Sequence, residues 1–318
     1  MEATILPSYR LTVLPLTLLP SYPLTALVNT ALAWMVLAQV FFAGMNICTR
    51  LGARHLPWSE IASTRFLIGA MIAFGLAKYR GSSLRITDRP NTWRRSLFGT
   101  LAAVCTFYAL SSNRLAVGDA ATLNATAPIF VALLSGPLLG ERVGGRVALA
   151  IVLGFAGILA VVRPSLDLAL PVAAIATIGA GFYALAMIWL RKIGPGETHE
   201  AVVFHFSLVA LAITTALAFP VWEWPDWRSG LFLLGVGLTG GGGQMAMTRA
   251  YSLHRAAPIT ALSGLGIVLT HSLAIPVFGD RPTGWQVAGS LLVIGASLLL
   301  TTGGEPGASS VRAPGSPV

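Results

Sequence analysis

Ten apolar runs follow one another along the chain, at 27–50, 59–79, 95–114, 119–139, 145–163, 170–191, 200–220, 229–251, 257–278 and 284–302. Polar residues gather in the breaks between them. At a rise of about 1.5 Å per residue, each run is about long enough to cross a hydrocarbon core roughly 30 Å thick. Lipid offers no partner for backbone N–H and C=O groups, so runs of this kind must be helices. The pattern predicts an all-α membrane protein with ten transmembrane helices. Two breaks stand out: 80–94, the longest and rich in arginine, and 221–228 (VWEWPDWR), rich in tryptophan and net acidic. Residues 1–26 are apolar but interrupted by Pro7, Pro15, Pro20 and Pro23, a spacing no lone spanning helix tolerates, and they read as a disordered or leader segment. Residues 303–318, rich in glycine, serine and proline, read as a disordered tail.

The runs also repeat. Residues 105–142 hold a helix end, a polar corner (Asn113, Arg114, Gly118, Asp119), an apolar helix and a stop at Gly140-Glu141-Arg142. The same order returns 139 residues later, with a corner at His254-Arg255 and a stop at Gly279-Asp280-Arg281. At an offset of 140, Phe42 matches Phe182, Glu60 matches Glu200, Arg65 matches His205 and Phe66 matches Phe206. Self-similarity of this kind marks two copies of one unit, here 27–163 and 170–302. Each copy has five helices. Five is odd, so the second copy enters the bilayer from the opposite side. Two inverted five-helix repeats with a site near the midplane are a common plan of secondary transporters.

The segment LNATAPIFVALLSGPLLGER and its counterpart FGDRPTGWQVAGSLLVIGASLLL resemble the EamA-type transporters of the drug/metabolite transporter superfamily. The resemblance covers roughly residues 30–302. The second copy departs from the pattern, with Ile267 where the first has Pro128 and Asp280 in place of the glutamate. The resemblance implies ten-helix inverted-repeat carriers, often exporters of amino acids or other small metabolites, with a cavity built on the third and eighth helices.

Composition agrees with a membrane protein: 55% of residues are hydrophobic and 10% charged, where soluble domains carry about 25% charged residues. The net charge of +9 reads as basic loops kept on the cytoplasmic side, since no soluble domain and no basic helix interleaved with aromatics is there to hold nucleic acid. With the N-terminus inside, fourteen of the 21 lysines and arginines fall on inner segments, six of them in 78–95, and six fall at outer ends. The tally places both termini in the cytoplasm of a multi-pass protein of the cell membrane. No GxxxxGK[ST] loop is present, Cys48 and Cys105 do not cluster, and neither a cofactor nor a metal is expected.

Polar residues within the runs are the candidates for substrate binding. Arg65 reads as an anion or carboxylate contact in a central cavity. Against that, it lies only about 9 Å from the helix start and can snorkel or pair with Glu60. His205 occupies the matching place in the second copy, and His271 sits in mid-run. Lone histidines on apolar helices are usually structural, yet these two are the groups in the spans able to exchange protons near neutral pH. Tyr108 and Gln244 fall on the third and eighth helices, where the resemblance puts the cavity. Asn124 and Tyr183 are further candidates. Asn46, Asn113, Thr248 and Tyr251 are of the same kind, and all such groups also bridge helices, for about 0.6 kcal/mol each. Trp34 suits either an aromatic substrate or an interface anchor. Glu141 and Asp280 read as structural acceptors for the next helix's N-terminal N–H groups. The glycines at 240–243 read as a close-packing surface or a hinge.

No aspartate or glutamate falls at the middle of a run, so facilitated diffusion, or coupling through His205 or His271, is expected. An intramembrane protease is the enzymatic alternative. The string His199-Glu200-Ala-Val-Val-Phe-His205 fails the HExxH spacing because Val203 stands where the second histidine belongs, and no GxSxG elbow occurs. A receptor or scaffold would need an exposed interaction surface that the short loops do not offer. The sequence therefore predicts a carrier, exporter or facilitator, of small polar metabolites such as amino acids, working by alternating access in the lipid bilayer.

Overall fold

The computed structural model describes residues 24–139, 144–162, 170–193, 196–253 and 264–301. Among these residues there is no strand. Eleven helices follow in order: α1 (Leu24–Gly52), α2 (Trp58–Arg80), α3 (Arg89–Ser111), α4 (Val117–Asn124), α5 (Ala127–Leu139), α6 (Gly145–Val162), α7 (Leu170–Lys192), α8 (His199–Ala218), α9 (Trp227–Leu253), α10 (Leu265–Phe278) and α11 (Gly284–Thr301). α4 and α5 are two halves of one span, so the helices make the ten expected crossings. Five stretches are long and apolar enough to cross a membrane by themselves: Thr30–Gly52, Trp58–Arg80, Val117–Leu134, Leu170–Leu190 and His199–Val221. The segments read as leader and tail, Glu141, the corner at His254-Arg255 and the side chain of Tyr251 lie outside the described residues.

Local chemistry sets the helix ends. Gly81 and Gly279 take the left-handed conformation, φ 67° and 71°, that closes α2 and α10. Asp88 caps α3 by accepting from the Asn91 N–H at 3.4 Å, with Pro90 in the first turn. This cap starts α3 six residues before the expected 95, and it draws Arg94 and Arg95 out of the loop and into the helix. The fourth span starts at Val117 instead of 119 and breaks at Ala125–Thr126. Pro128 supplies the cause: it has no N–H to give the Asn124 carbonyl, and its ring would clash there.

The two halves are related as the odd helix number requires. α2 and α8 are repeat mates and run antiparallel. At one end Ser63 and Thr215 share a hydrogen bond of 2.6 Å and Glu60 accepts from the Glu223 N–H. At the other, Arg80 pairs with Glu200 at 2.7 Å and Thr198 donates to the Ser83 carbonyl. α6 and α11 are antiparallel mates too, with Arg146 at the start of one bonded to the Leu299 carbonyl at the end of the other. Helix neighbours obey the same exchange. α1 packs on α9 as α3 packs on α7, α2 on α9 as α3 on α8, and α1 on α10 as α4 and α5 on α7.

Small residues allow the halves to approach. α9 runs unbroken through Gly240–Gly243, and a methyl on these glycines would press on Met45 and Arg65, Ile72, Phe41 and Phe42 in turn. The run is a packing surface. Met71, Val152, Leu159 and Leu291 point away from the bundle, as a lipid-facing exterior requires. Trp224 and Trp227 stand exposed at the α8–α9 connection, where interfacial tryptophans belong.

Candidate functional site

Where α2 crosses α8, the repeat mates Phe66 and Phe206 meet edge to face, ring centroids 5.4 Å apart. An arginine lies on each. The Arg65 guanidinium is 4.3 Å from the Phe66 ring, and the Arg95 guanidinium, from α3, is 4.0 Å from the Phe206 ring. The two arginines are 5% and 4% exposed and lie within electrostatic reach of each other. Neither has a hydrogen bond or ion pair among the described residues, and Nε and Nη1 of Arg95 are fully enclosed. A desolvated charge without a partner costs several kcal/mol. Stacking on an aromatic face returns about 2 kcal/mol when desolvated, so each ring offsets only part of that cost.

Polar groups surround the pair. His205 binds Ser96 Oγ through Nδ1 at 2.9 Å and rests edge-on against Trp93, 4.7 Å between centroids. Ser207 Oγ is buried with no partner, beside Gly69. Tyr183 on α7 lies near Arg95. Gly240 on α9 leaves room for the Arg65 side chain, since a methyl there would sit 3.1 Å from Arg65 Cγ and Nε. Guanidiniums, an imidazole and hydroxyls with no carboxylate among them form a buried cluster of donors, a donor set that complements a carboxylate or another anion.

The structure thus brings together Arg65, His205 and Tyr183, and adds Arg95 and Ser207, which sequence reasoning missed. Charge alone puts Arg95 with the basic inner segment 78–95. The signal that places it inside is Asp88-Arg89-Pro90, a helix-start signature two turns upstream. Arg94 beside it stacks on Trp189 at 4.5 Å, on a different side of α3.

The other candidates lie elsewhere. Tyr108 is 38% exposed and edges onto Trp58 at 6.0 Å. Asn124, at the α4–α5 break, accepts from Thr106 Oγ1 at 3.3 Å. Gln244 is buried on α9, one turn beyond Gly240. His271 binds Thr122 and Ser290 in a second polar seam between α4, α10 and α11, and Asn46 donates to Thr270 next to it at 3.2 Å. Asp119, one residue of the polar corner in the sequence, is buried in that seam because α4 begins before it. Arg50 leaves the outer-charge tally as well. It is buried, donating to the carbonyls of Leu110, at 2.6 Å, and Leu115. Trp34 and Leu37 line one cavity of about 410 Å³, and Phe74, Lys78 and Leu84 another of about 410 Å³; neither touches the arginines.

Known proteins agree with this architecture. The pattern described as "EamA-like transporter family" matches residues 29–163. The pseudopaline exporter CntI of Pseudomonas aeruginosa (strain UCBPP-PA14) is 31% identical over 274 residues, covering 84% of this chain and 94% of that protein. The riboflavin transporter of Vibrio cholerae serotype O1 (strain ATCC 39315 / El Tor Inaba N16961) is 23% identical, covering 82% and 89%. A protein crystal structure superposes with a TM-score of 0.57 at 19% identity, over 87% of this chain and 96% of that one, which speaks for the fold alone. With repeat mates packed antiparallel and relatives of this kind covering nearly its whole length, the chain belongs to the EamA-like transporter family: it is a multi-pass membrane transporter, not an enzyme.

Proposed function

We propose that the protein exports small carboxylate-bearing polar metabolites, amino acids or related compounds, by alternating access of two units, 27–163 and 170–302, about the Phe66–Phe206 crossing. The observation that carries this reading is the pair of buried arginines, Arg65 and Arg95, with no acidic partner among the described residues. A substrate carboxylate would supply the missing acceptor, with His205, Ser207 and Tyr183 able to orient the remainder. Tyr108, Asn124, Gln244 and His271 belong to the reading as residues of helices that move about the site. The outward direction draws support from a relative named as an exporter. A location in the cell membrane with cytoplasmic termini draws support from the basic segment holding Lys78, Arg80, Arg85, Arg89 and Arg94.

The test is a metabolite-wide export and uptake screen in cells with and without the gene, followed by flux of each hit through Arg65→Met and Arg95→Met proteins. The expected result is one or more carboxylates whose export needs both arginines. Export of neutral or cationic compounds only, unchanged in both variants, would overturn it.

A further inference from the structure

The seam between α4, α10 and α11 is not part of the arginine cluster, and it holds an acid of its own. Asp119, the third residue of α4, is 1% exposed. Its Oδ2 accepts from Gln286 Nε2 on α11, while Oδ1, equally enclosed, has no partner. No cation pairs with it among the described residues. The preceding Gly118 lets α4 lie directly on the imidazole of His271, since a methyl at 118 would overlap the ring. His271 Nε2 is 3.3 Å from Thr122 Oγ1 and 3.4 Å from Ser290 Oγ, and the two hydroxyls are 3.0 Å apart. A carboxyl, an imidazole and two hydroxyls are thus shared across the junction of the two halves.

The charged and titratable groups facing this seam are few. α10 brings His271, and the segment after it brings Asp280, which lies within electrostatic reach of both Asp119 and His271. α1 brings Arg50, already committed to the carbonyls of Leu110 and Leu115. Arg114 and Arg281 are exposed in the flanking turns. The arginines and lysine of α3, α6 and α7 sit at the other ends of those helices, and α11 carries no charged residue.

A carboxylate held here would have one hydrogen bond, no counter-ion and an acidic neighbour. A buried charge in that state costs far more than the neutral acid, whose unmet polar atom costs about 1–3 kcal/mol. Opening the seam would give Oδ1 water and reverse the preference. A group that binds its proton in one conformation and loses it in the other ties the two events together. We propose that Asp119 is a proton-binding site that controls the α4–α10–α11 seam, closing it when protonated and releasing it when it gives its proton to water and ionises. The proposal is independent of what the arginine cluster binds.

The test needs no substrate. The full chain, with Cys48 and Cys105 replaced by alanine, is spin-labelled at Arg114→Cys and Arg281→Cys and reconstituted in lipid. The distance between labels is then followed with pH by double electron–electron resonance. The expected result is a distribution that lengthens as pH rises, stays short at every pH in Asp119→Asn, and still responds in Asp280→Asn and Glu60→Gln. Gln286→Leu, which removes the one bond the carboxyl keeps in the closed seam, moves the midpoint to lower pH. Infrared difference spectra show a carboxylic-acid carbonyl band lost in Asp119→Asn. A parent protein with no pH response, an unaltered response in Asp119→Asn, or a midpoint moved to higher pH in Gln286→Leu would overturn the proposal.

Discussion

Arg50 and Arg95 are buried arginines in one bundle, and their surroundings differ in a single respect. Arg50 lies at the end of α1 where α3 terminates, and its fork fills the orphan Leu110 carbonyl of that terminus and the Leu115 carbonyl of the turn that follows. Arg95, near the other end of α3, has an aromatic face under it and enclosed N–H groups aimed at nothing. Arg50 shows how this fold satisfies a guanidinium that serves structure. Arg95 and its neighbour Arg65 show a charge left unsatisfied where two repeat mates cross. The first arrangement is stable by itself, and the second becomes favourable when an anion arrives.

Substitution should separate the two regions. Arg95→Met is expected to have the largest effect on transport. Losing a buried charge-assisted contact to a substrate carboxylate costs about 2–5 kcal/mol, roughly 30-fold or more in affinity. The same variant should melt at the parent's temperature or above, because apolar volume replaces an unpaired charge. Arg50→Met should do the reverse. It strands two carbonyls and lowers stability by about 2–4 kcal/mol, while the folded fraction keeps its substrate affinity. Thermal unfolding in detergent and binding assays on each variant check both halves. An Arg95→Met protein that is destabilised as much as Arg50→Met would erase the distinction.

Glycine contacts sharpen the comparison at smaller scale. Gly118→Ala drives a methyl into the His271 ring across the seam, and overpacking of this kind costs about 1–3 kcal/mol. Gly75→Ala on α2 meets nothing within 4 Å and should gain up to about 1 kcal/mol in helix propensity. Opposite shifts in melting temperature are the expected outcome, and equal shifts would mean that the α4–α10 contact is not close.

The ten crossings and their inversion were legible because both are written in period and parity: lengths near twenty residues, a repeat at 139 to 140, and an odd number of helices per copy. Arg65 and His205 were legible as polar residues in apolar runs. Arg95 was not, because it opens its run directly after the arginines of 80–94, and charge alone cannot tell a loop from a first turn. Only the Asp88 cap and Pro90 fix the helix phase that turns Arg95 inward and Arg94 outward. Asp119 was hidden in the same way. A polar corner in sequence reads as exposed, and its burial depends on which helix of the other half covers it.

The basic loop itself supplies the smallest expected effect. Glu197 Oε1 accepts from the Thr87 N–H, Thr87 Oγ1 and the Asp88 N–H at 2.5–2.6 Å, tying the turn before α8 to the cap of α3 and so to the placement of Arg95. Burial pushes the Glu197 carboxyl up, and these three bonds outweigh it, holding the group below the usual carboxylate range. A depressed carboxylate contributes stability that is present above its unfolded value, about 4.3 for glutamate, and lost as pH falls through the folded value. Amide exchange at Thr87 and Asp88 should therefore stay protected through the ordinary glutamate range and rise only at lower pH. In Glu197→Gln, where no ionised acceptor remains, that protection should be weaker at neutral pH and should not titrate. Exchange that rises at the ordinary glutamate value, or a Gln variant that matches the parent, would show that the clasp does not hold the α3 cap.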